Sequence, residues 1–256
     1  MRDCIHYNSD LALRRWFAYF DLLGVKQIYK TGNQLSIFVA FSSAIGKFKK
    51  RVTAWPDVGY AWFSDTFILY TEDDSDESFS AIDSISRWFF YFLITADMPV
   101  RGAIACDVLY ADKENDLFFG EAFIEAYQYG EYQDWIGLLL CPSAEKRLEE
   151  LGMPAERCLN YSYVNVPFNY RLERQPKDMK AKLPVCILGN WLSINNKNPV
   201  IERLTRMRDR IADQGIRTKY DRAIEFIQKN SRVLSSKINH SDLRTEPRLW
   251  KSPTGL

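Results

Sequence analysis

Gly59-Tyr60-Ala61-Trp62-Phe63-Ser64-Asp65-Thr66-Phe67-Ile68-Leu69-Tyr70 is an apolar and aromatic run broken once, at Ser64-Asp65. Two short strands joined by a tight hairpin are expected here, with Ser64 and Asp65 as the turn. The turn would hold Asp65 on a rigid loop at the end of a sheet. Taken alone, Asp65 is an ordinary turn aspartate, since Asp is a preferred turn residue. A second acid in similar surroundings, Asp21, gives it a different meaning.

Arg15 to Leu23 is nearly continuous in apolar and aromatic residues and is followed by Gly24. Such a run reads as a buried central strand. Asp21 falls at its C-terminal end. A buried carboxylate without a partner costs several kcal/mol or shifts its pKa upward, so Asp21 needs a partner, and a metal ion suits it. The turn Leu22-Leu23-Gly24 is expected to leave backbone N–H groups free for phosphate oxygens.

The composition bounds the rest. A chain of 256 residues can bury a sizeable core. With 46% hydrophobic, 26% charged and 14% aromatic residues it reads as globular rather than disordered. A net charge of +1 gives no electrostatic case for nucleic acid or a membrane surface. Cys4, Cys106, Cys141, Cys158 and Cys186 are odd in number and lack C-x-x-C spacing, which suits reduced thiols in a cytoplasm. His6 and His240 are too few and too terminal for a His-based triad or metal centre. The N-terminus has no apolar core of signal-peptide length, and the longest apolar run, near Trp88 to Thr95, is too short to span a bilayer. A cytoplasmic location is expected.

Along the chain, Gln34 to Arg51 has apolar residues at helical spacing and ends in Lys47-Phe48-Lys49-Lys50-Arg51, a solvated cationic helix end. After the hairpin, Thr71 to Glu77 is an acidic loop lacking the Gly and spaced Glu of a calcium loop, and is expected to be solvated. Ser80 to Thr95 reads as a helix and Val100 to Tyr110 as a strand opened by Arg101. Leu117 to Phe119 reads as a short strand, Gly120 to Tyr127 as a helix opening, Trp135 to Leu140 as a buried strand, and Pro142 to Leu151 as a helix. Alternating strands and helices with one hairpin specify an α/β layer with a mixed sheet. Beyond about Gly152, two strands (Leu159 to Val166, Leu183 to Leu188) flank a basic loop (Arg171 to Lys182). Two helices (Val200 to Gln214, Arg217 to Asn230) follow, their charges expected in i,i+4 pairs, and the tail from about Ser235 is weakly structured. The expected division is a catalytic domain over residues 14–145 and a strand and helix extension over 146–256.

If the strands carrying Asp21 and Asp65 are neighbours, their carboxylates converge. Paired carboxylates at one sheet edge suit hard divalent cations that also hold phosphate oxygens. Arg101 then serves as a phosphate clamp, and the whole fits a nucleoside triphosphate.

The motifs Phe20-Asp21-Leu22-Leu23-Gly24, Phe63-Ser64-Asp65, Pro99-Val100-Arg101-Gly102-Ala103-Ile104 and Phe119-Gly120-Glu121-Ala122, with Glu125-Ala126-Tyr127, come in an order that resembles the class III nucleotide cyclases. Within that family the chain is most similar to the bacterial pyrimidine (uridylate or cytidylate) cyclases of Pycsar antiphage systems, over roughly Trp16 to Pro142. The resemblance implies a class III cyclase-like mixed sheet with flanking helices and a C-terminal helical extension. It implies that Asp21 and Asp65, with the Leu22 carbonyl, hold two Mn2+ or Mg2+ ions, and that Arg101 contacts the triphosphate. Phe20, Leu22, Leu23, Gly24, Tyr60 and Glu121 complete the substrate-binding set. It further implies a homodimer with shared active sites, and cyclisation of UTP to 3′,5′-cyclic UMP as an antiviral messenger acting on a separate effector.

The sequence departs from the purine cyclases of that family. Ile124 and Gln128 stand where those enzymes carry an Asn and an Arg, and Tyr60-Ala61 where they carry a purine-reading Lys. Bulky Tyr60 and Trp62 suit a pocket of pyrimidine size. Cyclic CMP made from CTP is the nearest alternative, and a cyclase fold binding nucleotide as a non-catalytic sensor is another. A polymerase-like or nuclease activity is disfavoured by the neutral charge.

Overall fold

The computed structural model describes residues 12–23, 34–113, 115, 117–157, 160–169, 179–187 and 199–237. Gly24, Cys4, Cys158, His6, His240, most of the Arg171–Lys182 loop and the chain after Lys237 lie outside the described residues, as do the expectations placed on them.

The strand expected around Trp16 is β1 (Ala12–Leu22). The opening stretch forms β2 (Val58–Phe63) and β3 (Thr66–Thr71), closed by Ser64 and Asp65 with Ser64 at φ 55°. Next come β4 (Val100–Asp112), β5 (Leu117–Phe119) and β6 (Leu138–Leu140). The last pair is β7 (Tyr161–Asn165) and β8 (Lys182–Cys186). Among the described residues the strands form one sheet in the order β2-β3-β1-β4-β6-β8-β7, with β5 on β4. β4 and β6 run parallel and the other pairs antiparallel, so the sheet is mixed as expected.

Side chains alternate between the two faces of a strand, so the register sorts them into rungs. Trp62, Phe67, Phe20 and Gly102 make one rung across β2, β3, β1 and β4. It faces helices α1 (Gln34–Val52) and α2 (Asp76–Thr95). Phe48 of α1 sits 4.7 Å from Phe67 and 5.0 Å from Phe89 of α2, and Phe89 meets Phe20 edge-on at 5.5 Å. Phe20, Phe48 and Phe89 are fully buried, each contributing about 1.5–3 kcal/mol through apolar burial. On the other face α3 (Glu121–Tyr132) lays Phe123 on Phe17 and Tyr127 on Tyr19.

Several local expectations are corrected. Trp135 and Ile136 are buried but only Leu138–Leu140 is strand. The acidic loop is not simply solvated. The Asp73 carboxylate accepts from the Ser75 N–H and from both the Ser75 and Ser78 hydroxyls, fixing the start of α2, which begins at Asp76 rather than Ser80. Asp74 pairs with Arg14 and Arg147, and Glu72 with Arg15 and Lys113. The cationic end of α1 packs on rings, with Lys47 over Phe92 and Arg51 over Trp55 and Trp88.

α4 (Pro142–Glu150) precedes the segment that carries β7 and β8, and α5 (Pro199–Asp209) and α6 (Gln214–Lys237) close the described chain. The Tyr161 hydroxyl donates to buried Asp83 at 2.6 Å, and Arg87 grips the same carboxylate. Among the described residues the charges of α5 and α6 mostly reach other elements, Arg208 also pairs with its neighbour Asp209, and no i,i+4 pair forms among them. Arg203 meets Asp97, Arg208 of α5 meets Asp221 of α6, and Lys219 and Arg222 meet Asp134. Among the described residues no helix is long and apolar enough to cross a membrane.

Gly102 is where β1 and β4 come closest to excluding a side chain. A Cβ there would lie 2.8 Å from the Phe20 ring and 2.9 Å from the Tyr19 carbonyl oxygen. Gly102→Ala is expected to cost about 1–3 kcal/mol by overpacking, read as a lower urea midpoint at unchanged slope.

Candidate active site

The rung that follows on the second face is Phe63, Thr66, Asp21 and Arg101, across β2, β3, β1 and β4. It lies at the end of the sheet where the β2–β3 turn carries Asp65. The Leu22 N–H donates to the Asp65 carbonyl at 3.1 Å, tying the turn to the end of β1. Asp21 and Asp65 are therefore brought together, and the Asp65 charge contributes to raising the Asp21 pKa. Asp21 is buried to 9% exposure.

Arg101 sits on Asp21. Its Nε and Nη2 both lie 2.8 Å from Asp21 Oδ2. Nη2 also meets Glu131 Oε2 at 2.9 Å, and Nη1 donates to the carbonyls of Glu131 and Gln133. Glu131 Oε1 accepts from the Tyr19 hydroxyl at 3.0 Å. Burial is the largest influence on Asp21 and pushes its carboxyl up to about 6, against the pull of Arg101 and with the help of Glu131 and Asp65. Burial and Glu131 hold the Tyr19 hydroxyl well above the usual phenol range, so it stays a proton donor.

The expected amide cradle is corrected by these contacts. The Leu22 N–H is taken by Asp65 and the Leu23 N–H by the Pro99 carbonyl at 2.8 Å, so neither is free for phosphate. The Phe20 side chain is buried in the core on the opposite face and cannot touch substrate there. Tyr60 is half-buried on β2, edge-on to Phe48 at 5.2 Å and stacked against Phe67. It borders a cavity of about 810 Å3 shared with Tyr19, Thr66, Phe118, Phe123 and Tyr127. Trp62 uses its indole N–H to bond the Ser64 carbonyl, closing the turn.

Glu121 is exposed and lies far from this rung. It opens α3 after Gly120, whose φ of 139° favours glycine and whose Cβ would strike the Val108 carbonyl. Val108 pairs with Arg14, so Glu121 lies beside the opposite end of β1 from Asp21. Phe63 is 83% exposed on the same face as Asp21, and Leu117, Phe119, Ile124 and Tyr127 are exposed near β5 and α3.

Two carboxylates at one strand end offer hard oxygen ligands of the kind Mg2+ and Mn2+ take, with the Leu22 main chain beside them. Among the described residues no group of three or more His, Cys, Asp or Glu gathers at one point, so a cation here would rest on this pair and on main-chain oxygen. Glu131 went unnoticed in the sequence. A signal was its neighbour Gly130, where a Cβ would lie 2.5 Å from the Tyr19 ring and where α3 therefore packs tightly on β1.

No family model and no curated protein matches the sequence. Solved structures match the fold. The catalytic core of a rhodopsin-guanylyl cyclase with converted specificity, in complex with ATPαS, superposes with TM-score 0.51 at 10% identity, over 68% of this chain and 94% of that one. The monomeric guanylyl cyclase domain of a RhoGC fusion protein from the aquatic fungus Blastocladiella emersonii gives 0.50 at 10% identity, over 69% and 96%. The chain has the nucleotide cyclase fold. Within that fold, the expected acids Asp21 and Asp65 share one end of the sheet with Arg101, while Glu121 stands apart from them.

In this cyclase fold a buried carboxylate raised to about 6 opposes folding at neutral pH. The folded form binds the proton more tightly than the unfolded chain, so this penalty is absent below about pH 4 and grows as pH rises to about 6. Asp21→Asn is expected to match wild type in stability near pH 4. In metal-free buffer it should be more stable by roughly 1–3 kcal/mol above pH 6, measured by urea unfolding across that range.

Proposed function

We propose that the protein is a pyrimidine nucleotide cyclase that converts UTP to 3′,5′-cyclic UMP and pyrophosphate. The observation that carries the reading is the rung placing Asp21 beside the Asp65 turn and Arg101 in a cyclase fold. Asp21, Asp65 and the Leu22 carbonyl would hold two Mg2+ or Mn2+ ions. When bound, such ions supply Lewis acidity at the ribose 3′-hydroxyl and offset charge on the triphosphate. The new bond joins the 3′-oxygen to the α-phosphorus, the bond to the β-phosphate oxygen breaks, and the hydroxyl proton leaves to solvent.

The chain's own residues supply orientation and exclusion. The half-buried ring of Tyr60 narrows the cavity beside β2, which favours a pyrimidine over a purine. Arg101 is the cation nearest Asp21 and would meet the triphosphate once its present contacts exchange. Glu121 would read the base edge. It is too far along the sheet to do so within one protomer, which favours a homodimer in which each chain completes its partner's site. The exposed Phe63, Leu117, Phe119, Ile124 and Tyr127 give such a dimer apolar surface to cover. The product would act as an antiviral messenger on a separate effector, with the segment after residue 145 as an extension of the catalytic domain.

Purified protein given each ribonucleoside triphosphate with Mn2+ or Mg2+ is expected to form cyclic UMP fastest, detected by mass spectrometry. No cyclic product from any substrate would sink the proposal, and cyclic CMP as the main product would move it to CTP. Asp65→Asn is expected to lower turnover by about 100-fold or more while leaving the circular dichroism melt in place. Sedimentation of the active protein at monomer mass would remove the shared site.

A further inference from the structure

Arg101 donates four hydrogen bonds, and its Nη2 makes a further ion pair. Nε faces Asp21. Nη2 faces both Asp21 and Glu131, and Nη1 faces the carbonyls of Glu131 and Gln133. Its side chain is 12% exposed. Two carboxylates, Asp21 and Glu131, therefore share one guanidinium. Glu131 is held at both oxygens, by the Tyr19 hydroxyl on one and Arg101 on the other.

This arrangement has a consequence for any cation that approaches Asp21. One of the two carboxylate oxygens, Oδ2, already carries a positive partner, and that charge opposes a cation at either oxygen. Arg101 can leave Asp21 without becoming an unpaired buried charge because Glu131 stays in contact with it. Tyr19, 2% exposed, keeps Glu131 in place for that role. Resting on the proposed metal-dependent reading, we infer that Arg101 is an internal cation occupying Asp21 until a divalent ion displaces it, and that Glu131, anchored by Tyr19, is the positioning residue that retains the guanidinium after the exchange. Metal binding at this site is then a cation exchange.

The exchange predicts effects of opposite sign from two members of one cluster. Removing Arg101 removes the competitor, so Arg101→Met should bind Mn2+ about 5–10-fold more tightly than wild type. Removing the charge on Glu131 leaves Arg101 with Asp21 as its remaining charged partner, so Glu131→Gln should bind Mn2+ about 5–10-fold more weakly. A simple field effect of Glu131 would give the same sign, and two variants separate it. In the Arg101→Met background, Glu131→Gln should change affinity by less than about 2-fold if it acts through Arg101. Tyr19→Phe changes no charge, and should weaken binding by roughly 3-fold by loosening Glu131.

The measurement is the free Mn2+ signal in electron paramagnetic resonance during titration of the full chain without nucleotide, with thermal melts run on every variant. Equal affinity in wild type and Arg101→Met would overturn the exchange while leaving the metal assignment intact. Unchanged affinity in both Glu131→Gln and Tyr19→Phe would overturn the role of Glu131, and it does so even if Arg101→Met fails to fold. Absence of Mn2+ binding in wild type and in Arg101→Met together would overturn the proposed function itself, and the exchange with it.

Discussion

The position of β1 between β3 and β4 is the constraint on which the site depends. Successive side chains of a strand face opposite sides, so one residue of slip would turn Asp21 toward α2 and Phe20 toward the charged side of the sheet where Arg101 lies. The core forbids that slip. Trp16, Ala18 and Phe20 are fully buried on the helix face, with Phe20 held by Phe89 and by the space that Gly102 leaves. The acid is thus placed by residues that never approach it. The tight pairing with β4 then brings Arg101 level with Asp21, and the β2–β3 turn brings Asp65.

A carboxylate placed there is not a device for stability. Burial raises its pKa, and Glu131 and Asp65 raise it further, while one guanidinium works in the other direction. Two acids, Asp21 and Glu131, share the single guanidinium of Arg101, and the Asp65 charge also acts on Asp21, so negative charge outweighs positive there. A fold under selection for stability alone would have an apolar or neutral residue at Asp21. Excess negative charge held rigidly at the end of a sheet is what a divalent cation recognises.

What was legible in the sequence was local. The hairpin, its Ser64-Asp65 turn, β1 and the amphipathic helices follow from periodicity and turn chemistry over a dozen residues. That Asp21 would lie at a strand end was legible because it closes an otherwise apolar strand. What was not legible depends on pairing across the chain. The Leu22 and Leu23 amides look free in a turn, but Asp65 and Pro99 claim them from 43 and 76 residues away. The acidic loop looks solvated because its partners Arg14, Arg15, Lys113 and Arg147 all come from distant parts of the chain. Glu131 looks like an ordinary surface acid on a helix, and only the packing of Gly130 against Tyr19 brings it to Arg101.

Glu121 shows how far one protomer can go. It adjoins Gly120, which lies against Val108, and Val108 pairs with Arg14, seven residues before Asp21 on β1. At the rise of a strand that places Glu121 roughly 20 Å from the acidic cluster. A glutamate side chain spans a fraction of that distance, and the sheet between is too rigid to fold the two ends together. So if Glu121 takes part in the proposed reaction, it does so in a site built by another chain. The mixed sheet that fixes Asp21 so firmly also keeps Glu121 away from it within one chain. The apolar side chains left exposed on the Asp21 side of β2 and around β5 and α3 are where a second chain has the most to cover.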